Sequence, residues 1–167
     1  MKQYQPFTGK WRCGFTLVEV LMVVTIVAAA GVIVVPHMLR PGTMSIQAAG
    51  RMIVADILFA QNEAIAHQKV RKVIFDVLGG GYRLTDENDQ TISASWIGGG
   101  LYVVSIRDDP RFGGVALTGF DFGDSAELVF DDLGSPKFGG HVALASDALR
   151  YRIQVAPLTG RVTIEPQ

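Results

Sequence analysis

The chain has 167 residues, 15 basic against 16 acidic side chains, a formal net charge of −1 and 49% hydrophobic residues. That leaves room for one soluble domain of ordinary size plus an apolar segment, and the near-neutral balance excludes bulk electrostatic binding to nucleic acid. Cys13 is the single cysteine, which excludes an internal disulfide framework and a cysteine-based metal site.

Met1–Gly14 (MKQYQPFTGKWRCG) carries Lys2, Lys10 and Arg12 and no acid, so the positive-inside rule keeps this end in the cytoplasm. The run Phe15–Val35, FTLVEVLMVVTIVAAAGVIVV, follows with one charge, Glu19. At about 1.5 Å per helical residue it reaches about 32 Å, enough to cross a hydrocarbon core of about 30 Å. It is apolar on every side, unlike the one-sided stripe of a core helix. A carboxylate in such a helix costs about 2.5–3.5 kcal/mol near the bilayer centre and less near an end. No Lys or Arg lies between Phe15 and Met38, so a positive partner for Glu19 must come from outside the run. An α-amino group released by cutting just before Phe15 is one candidate. Two other readings compete. One is an uncleaved anchor; the other is a secretory signal peptide cut after Ala28-Ala29-Ala30. Against the latter, Glu19 would sit inside the apolar region and the run continues through Val35. Pro36 lacks a donor and clashes with the preceding turn, and Pro41-Gly42 is a second break. Residues 36–43 therefore read as a kinked connection, with His37 and Arg40 suited to the outer membrane interface.

From Met44 to His67 the pattern is helical and amphipathic. Ile46, Ala49, Ile53, Ile57, Ala60 and Ala64 recur at spacings of three and four, flanked by Met52 and Phe59. Arg51, Asp56, Gln61, Asn62 and Glu63 take the polar positions, and Gly50 weakens the helix locally. Strands are expected at Val70–Val77, Tyr82–Thr85, Thr91–Ile97, Leu101–Ile106, His141–Ala145, Tyr151–Ala156 and Arg161–Glu165, with weaker ones at Val115–Leu117, Gly119–Phe122 and Leu128–Phe130. Glycine clusters at 79–81 and 98–100 turn the chain, and Pro157–Gly160 joins the last hairpin. The expected fold class is α+β: a long N-terminal helix, half in the membrane and half amphipathic, laid on an antiparallel sheet or small sandwich. The globular domain spans 44–167, with its helix at 44–67 and its β-rich part at 70–165.

No catalytic constellation is present. His37, His67 and His141 lack metal-ligand spacing, serines lack a nucleophile elbow, and the glycine clusters lack phosphate-loop context. No enzyme and no cofactor is expected. Asp86-Glu87-Asn88-Asp89 and Asp131-Asp132 offer oxygens of the kind Ca²⁺ takes, but without EF-hand spacing they read as solvated turns. Arg150, Arg152 and Arg161 on the final hairpin are a candidate DNA-contact set, set against the alternative of solvated strand faces.

Arg12-Cys13-Gly14 followed by Phe15-Thr16-Leu17-Val18-Glu19 resembles the processing motif of type IV prepilins and type II secretion pseudopilins. Pro36 falls where that family commonly places a helix-bending proline. Phe130-Asp131-Asp132-Leu133-Gly134-Ser135-Pro136 is similar to the F-x-x-x-G-x-P turn, and Leu158-Thr159-Gly160-Arg161-Val162 to the terminal hairpin, of the GspH- and FimT-type minor subunits. The resemblance implies a pilin-like fold. It also implies a leader, residues 1–14, removed by a prepilin peptidase between Gly14 and Phe15, with N-methylation of Phe15. Glu19 then pairs with the amino terminus of a neighbouring subunit in a helical filament, and residues 15–35 form its transmembrane and filament-core helix. The implied partners are other pilin or pseudopilin subunits, the peptidase, an inner-membrane assembly platform and secreted cargo; nucleic acid is not among them for a pure assembly subunit. The implied location is the inner membrane, single-pass, with the C-terminal domain in the periplasm. The function expected is that of a minor pseudopilin of a type II secretion system. The alternative is a minor type IV pilin of a pilus or DNA-uptake machine whose β domain binds DNA.

Overall fold

The computed structural model describes residues 14–38, 41–94, 99–147 and 149–167, with side chains of 31–38 and 41–43 left aside. The expected leader up to Cys13, residues 95–97 of the expected Thr91–Ile97 strand and the Gly98 break therefore fall outside the described residues. The chain divides into two compact units at Arg40/Pro41.

In the first unit, helix α1 spans Leu17–Met38. Its start is set by Thr16, whose hydroxyl accepts from the Glu19 N–H at 3.2 Å and whose carbonyl accepts from the Val20 N–H at 3.2 Å; this is N-cap geometry. Every described side chain of the unit, from Gly14 to Ala30, is exposed. Inside the apolar run the Thr25 hydroxyl donates to the Leu21 carbonyl at 2.7 Å, so its polar atom is satisfied within the helix. The described side chains of α1 run from 17 to 30, about 21 Å of rise. Among the described residues no helix is long and apolar enough to cross a membrane. The helix bounds place Pro36 within α1.

The second unit opens on helix α2, Pro41–His67, with proline at the first helical position, where its missing N–H breaks no bond. The expected stripe is the buried one: Ile46, Ala49, Ile53, Ile57, Ala60 and Ala64 are all fully buried. The helix ends as Lys69 N–H reaches the Ala64 carbonyl and Gln68 N–H the Ile65 carbonyl, a Schellman pattern with Gln68 in the left-handed region at φ 50° instead of the usual glycine.

Among the described residues eight strands follow: β1 Arg71–Asp76, β2 Gly81–Thr85, β3 Val103–Ser105, β4 Ala116–Asp121, β5 Glu127–Phe130, β6 Gly140–Ala145, β7 Arg150–Val155 and β8 Val162–Pro166. They form two antiparallel four-stranded sheets, β3-β2-β1-β5 and β4-β6-β7-β8. Three details differ from the sequence expectation. In the described part of the expected Thr91–Ile97 strand, residues 91–94 make only isolated bridges, Thr91 to Thr85 and Ser93 to Leu101. The segments at 115–117 and 119–122 are one strand, β4, interrupted between Leu117 and Gly119, where the Thr118 hydroxyl turns to the Ala143 carbonyl. Leu101–Ile106 shortens to β3, because Leu101 bridges Ser93 and the Tyr102 N–H bonds the Ile92 carbonyl. Helix α2 packs on β1 and β5 of the first sheet and on β6, β7 and β8 of the second. Between helix and sheets sits one apolar core that includes Phe122, Phe130, Leu128, Leu144 and Ile153. Phe75 anchors it with rings of Tyr82 and Phe122 at 5.6 Å each, spacings at which aromatic pairs add to plain area burial.

Candidate functional site

The residues singled out at the start of α1 lie together in a simple geometry. Gly14–Thr16 precede the helix and are exposed. A Cβ at Gly14 would meet nothing within 4 Å, so the fold does not require glycine there. Phe15 is 82% exposed. Phe15 and Glu19 line one shallow groove with Val20, Val23 and Val24, which places both on the same side of the rod. Glu19 is the acid of the first turn, where the helix dipole favours a negative charge by about 0.3–1 kcal/mol. Thr16-x-x-Glu19 has the spacing of a capping box, readable in the sequence and passed over there. Glu19 thus stands where its charge suits the start of α1.

The three arginines are not one cluster. Arg150 and Arg152 point outward from β7, two residues apart, while Tyr151, Ile153 and Val155 alternate toward the core. With the Gln167 amide turned so that both groups are satisfied, the Arg152 guanidinium donates to its oxygen at 2.7 and 2.8 Å. Arg152 also stands in register with Glu165 on β8. Arg161 lies past the turn, its carbonyl accepting from the Ala156 N–H at 2.9 Å. That is the opposite end of β7 from Arg150, about 20 Å away at roughly 3.4 Å per residue.

What the structure does bring together is the two loop motifs, and the residue that joins them is Gln61. Its side-chain amide donates to the Gly134 carbonyl at 2.7 Å and to the Thr159 carbonyl at 3.2 Å. Ser135 Oγ donates to the Leu158 carbonyl at 2.8 Å, and Asp131 Oδ1 accepts from the N–H groups of Leu133 and Ser135. The glycines are required. Gly134 has φ +78° and a Cβ there would lie 2.6 Å from Ile65; Gly160 has φ +66° and a Cβ would lie 2.5 Å from the Gln61 amide. The joint leaves Leu133 and Leu158 on the surface, 79% and 82% exposed. In the sequence Gln61 is only one of several polar positions on α2.

A second missed group is Asp56, 7% exposed. Its carboxylate accepts from the Tyr82 hydroxyl at 2.5 Å and from the Tyr102 hydroxyl at 2.8 Å. Burial raises the Asp56 carboxyl from its ordinary value, opposed by the two tyrosine hydrogen bonds; burial and the adjacent carboxylate push the Tyr82 hydroxyl well up. The signal was available: Asp56 is three residues beyond Ile53 and four before Ala60, on the edge of the buried stripe.

The acids considered for Ca²⁺ are occupied in turns. Asp86 Oδ1 accepts from the N–H groups of Asn88 and Gln90, and Asp89 pairs with Lys72 at 2.7 Å. Among the described residues no group of three or more metal-ligating side chains occurs.

No protein-family model and no curated protein sequence matches the chain. Among solved structures it is similar to the type IV minor pilin FimU of Pseudomonas aeruginosa, with 17% identity over 72% of this chain and 87% of that one and a TM-score of 0.49. It is also similar to the minor pseudopilin EpsH from the type 2 secretion system of Vibrio cholerae, with 14% identity over 72% of this chain and 95% of that one and a TM-score of 0.48.

Proposed function

We propose that the chain is a structural subunit of the pilin class, and within it a minor pseudopilin of a type II secretion system. The observation that carries this reading is the junction Gly14-Phe15: an exposed, non-helical segment directly before a capped helix, every described side chain of which is exposed. The described part of α1 presents large apolar side chains such as Leu17, Leu21, Val24 and Ile26 exposed, so it has apolar surface left to bury. A bilayer first, and then the helices of neighbouring copies, are surroundings that suit such a rod.

On this reading a prepilin peptidase cuts after Gly14 at the cytoplasmic face. The protein then stands in the inner membrane as a single-pass subunit with its β domain in the periplasm; the 21-residue apolar run supports the pass. Cleavage converts the amide at Phe15 into an amino group, which is N-methylated and carries a positive charge. Glu19 of an adjacent copy supplies the counter-charge. Attraction in a low-dielectric setting is largely offset by desolvation, but a copy docked at the wrong height strands its charge, at about 3–5 kcal/mol. The pair thus sets register rather than adding bulk stability. Repetition of the contact with an axial rise gives an open helical filament, in which Ala28, Ala29, Ala30 and Gly31 allow close helix approach.

Replacing Glu19 with Ala tests this. The variant should insert and be cleaved as the parent is, yet be missing from sheared filaments; normal incorporation would overturn the register role. Deleting the gene in its host separates the two machines: lost protein export with intact pili supports secretion, and the converse supports the type IV pilus.

A further inference from the structure

Between α2, β3 and the turn at 109–111 lies a cavity of about 490 Å³, lined among others by Met52, Asp56, Tyr102, Ser105, Asp109 and Arg111. That volume falls in the range of small-molecule pockets. Its charges do not balance. Arg111 is held by Asp109, with Nη2 to Oδ2 at 2.6 Å and Nε to both oxygens at 3.0 Å, and its guanidinium rests 5.1 Å from the Phe112 ring centre. That pair is neutral as a unit, which leaves the Asp56 carboxylate as the unbalanced charge of these walls. Among the described residues no Lys, Arg or His forms an ion pair with it. Each Asp56 oxygen accepts one tyrosine hydroxyl, and a carboxylate oxygen has capacity for a second donor. A buried carboxylate is costly unless a counter-charge or further donors reach it.

We infer that this cavity is a binding site for a primary alkylammonium group, with Asp56 as its counter-ion and the Met52 and Tyr102 side chains receiving the alkyl stem. The chemistry selects this class in three ways. An ammonium is compact and offers three donors, which suits one free acceptor direction on each oxygen. A guanidinium needs both oxygens along one open edge, and here the two tyrosines already occupy part of that edge. A metal ion is disfavoured because the walls carry only two carboxylates, Asp56 and Asp109, and among the described residues no group of three or more metal-ligating side chains occurs. The Tyr102 ring is fixed by stacking on Phe59 at 5.4 Å, so the site is formed in advance. The ammonium has two sources, a free alkylamine or a lysine side chain of a docking protein.

Thermal unfolding of the full chain in detergent micelles at constant ionic strength distinguishes them. The probes are n-butylammonium chloride, acetyl-Gly-Lys-Gly-amide, n-butanol and sodium chloride, and a ligand that binds the folded state raises the midpoint saturably. We expect saturable rises with butylammonium and none with butanol or sodium chloride. A matching rise with the lysine peptide assigns the site to a partner's lysine; a rise with butylammonium alone assigns it to a free amine. Asp56→Asn should weaken binding at least tenfold. Met52→Trp, which fills the cavity and spares the Asp56–tyrosine contacts, should abolish binding even if Asp56→Asn folds poorly. The inference is overturned if neither amine gives a saturable rise, or if Met52→Trp responds as the parent does.

Discussion

Gly50 offers a quantitative test of how α2 sits on the sheets. It is buried in mid-helix, beside a gap of about 210 Å³ lined by Ile46, Gln47, Arg51, Tyr151 and Ile164. A Cβ built on Gly50 would stand 3.7 Å from Ile164 and 4.0 Å from Leu144, ordinary contact distances with no overlap. Gly50→Ala should therefore gain the helix-propensity difference, about 0.8–1.0 kcal/mol. The methyl group enters the gap and adds at most the burial of one carbon, about 0.8 kcal/mol. The expected stabilisation is roughly 1–1.8 kcal/mol, or a rise of roughly 3–8 °C in Tm for a unit of this size. Thermal and urea unfolding of residues 41–167, followed by far-UV circular dichroism, would measure it; the described core lies wholly within that unit. An unchanged or lowered midpoint would refute the reasoning, because it would mean that α2 lies closer to β6 and β8 than described.

Three further outcomes follow from the same structure. Gln61→Ala removes both donors of the loop joint and should cost about 1–3 kcal/mol, with amide exchange rising first at residues 131–136 and 157–161. Gln68→Gly relieves the left-handed residue that closes α2 and should stabilise by about 0.5–1 kcal/mol in the same unfolding assay. Asp56 gives a pH signature. Its folded carboxyl is raised by burial, so the folded state holds the proton more tightly than the unfolded one. Its contribution to stability is therefore fullest below the unfolded value of about 3.9 and is lost as pH rises from there through the raised folded value. The stability of the parent minus that of Asp56→Asn should fall over that window and then flatten; a rise with pH would contradict the assignment.

The parts of the fold that were legible in the sequence are those set by local periodicity. The stripe from Ile46 to Ala64 declared itself because a helix needs residues three and four apart on one side. The hairpins β1–β2 and β7–β8 were marked by the residues of their turns. Non-local pairing was not legible. β5 returns to lie beside β1 while β4 joins the other sheet, and no local pattern in Glu127–Phe130 chooses between those neighbours. Thr118 hid the continuity of β4, because an irregular residue shifts the alternation on which a strand assignment rests. At the start of α1, motif spacing singled out Phe15 and Glu19, whereas Thr16 was overlooked as a cap. Gln61 and Asp56 were missed for a physical reason: each sits at the boundary between the polar and apolar sides of α2, and only the loops and strands opposite show what its side chain meets. The three arginines err the other way. Sequence nearness on a hairpin put them together, and the length of β7 separates Arg161 from the other two.

The central claim is that proteolysis after Gly14 makes the positive charge Glu19 awaits. Co-expression with a prepilin peptidase, followed by intact mass of the purified protein, tests it directly. The account predicts a chain beginning at Phe15 and heavier by one methyl group; an unchanged mass with residues 1–14 still attached, under a peptidase shown active on its own substrate, would contradict it.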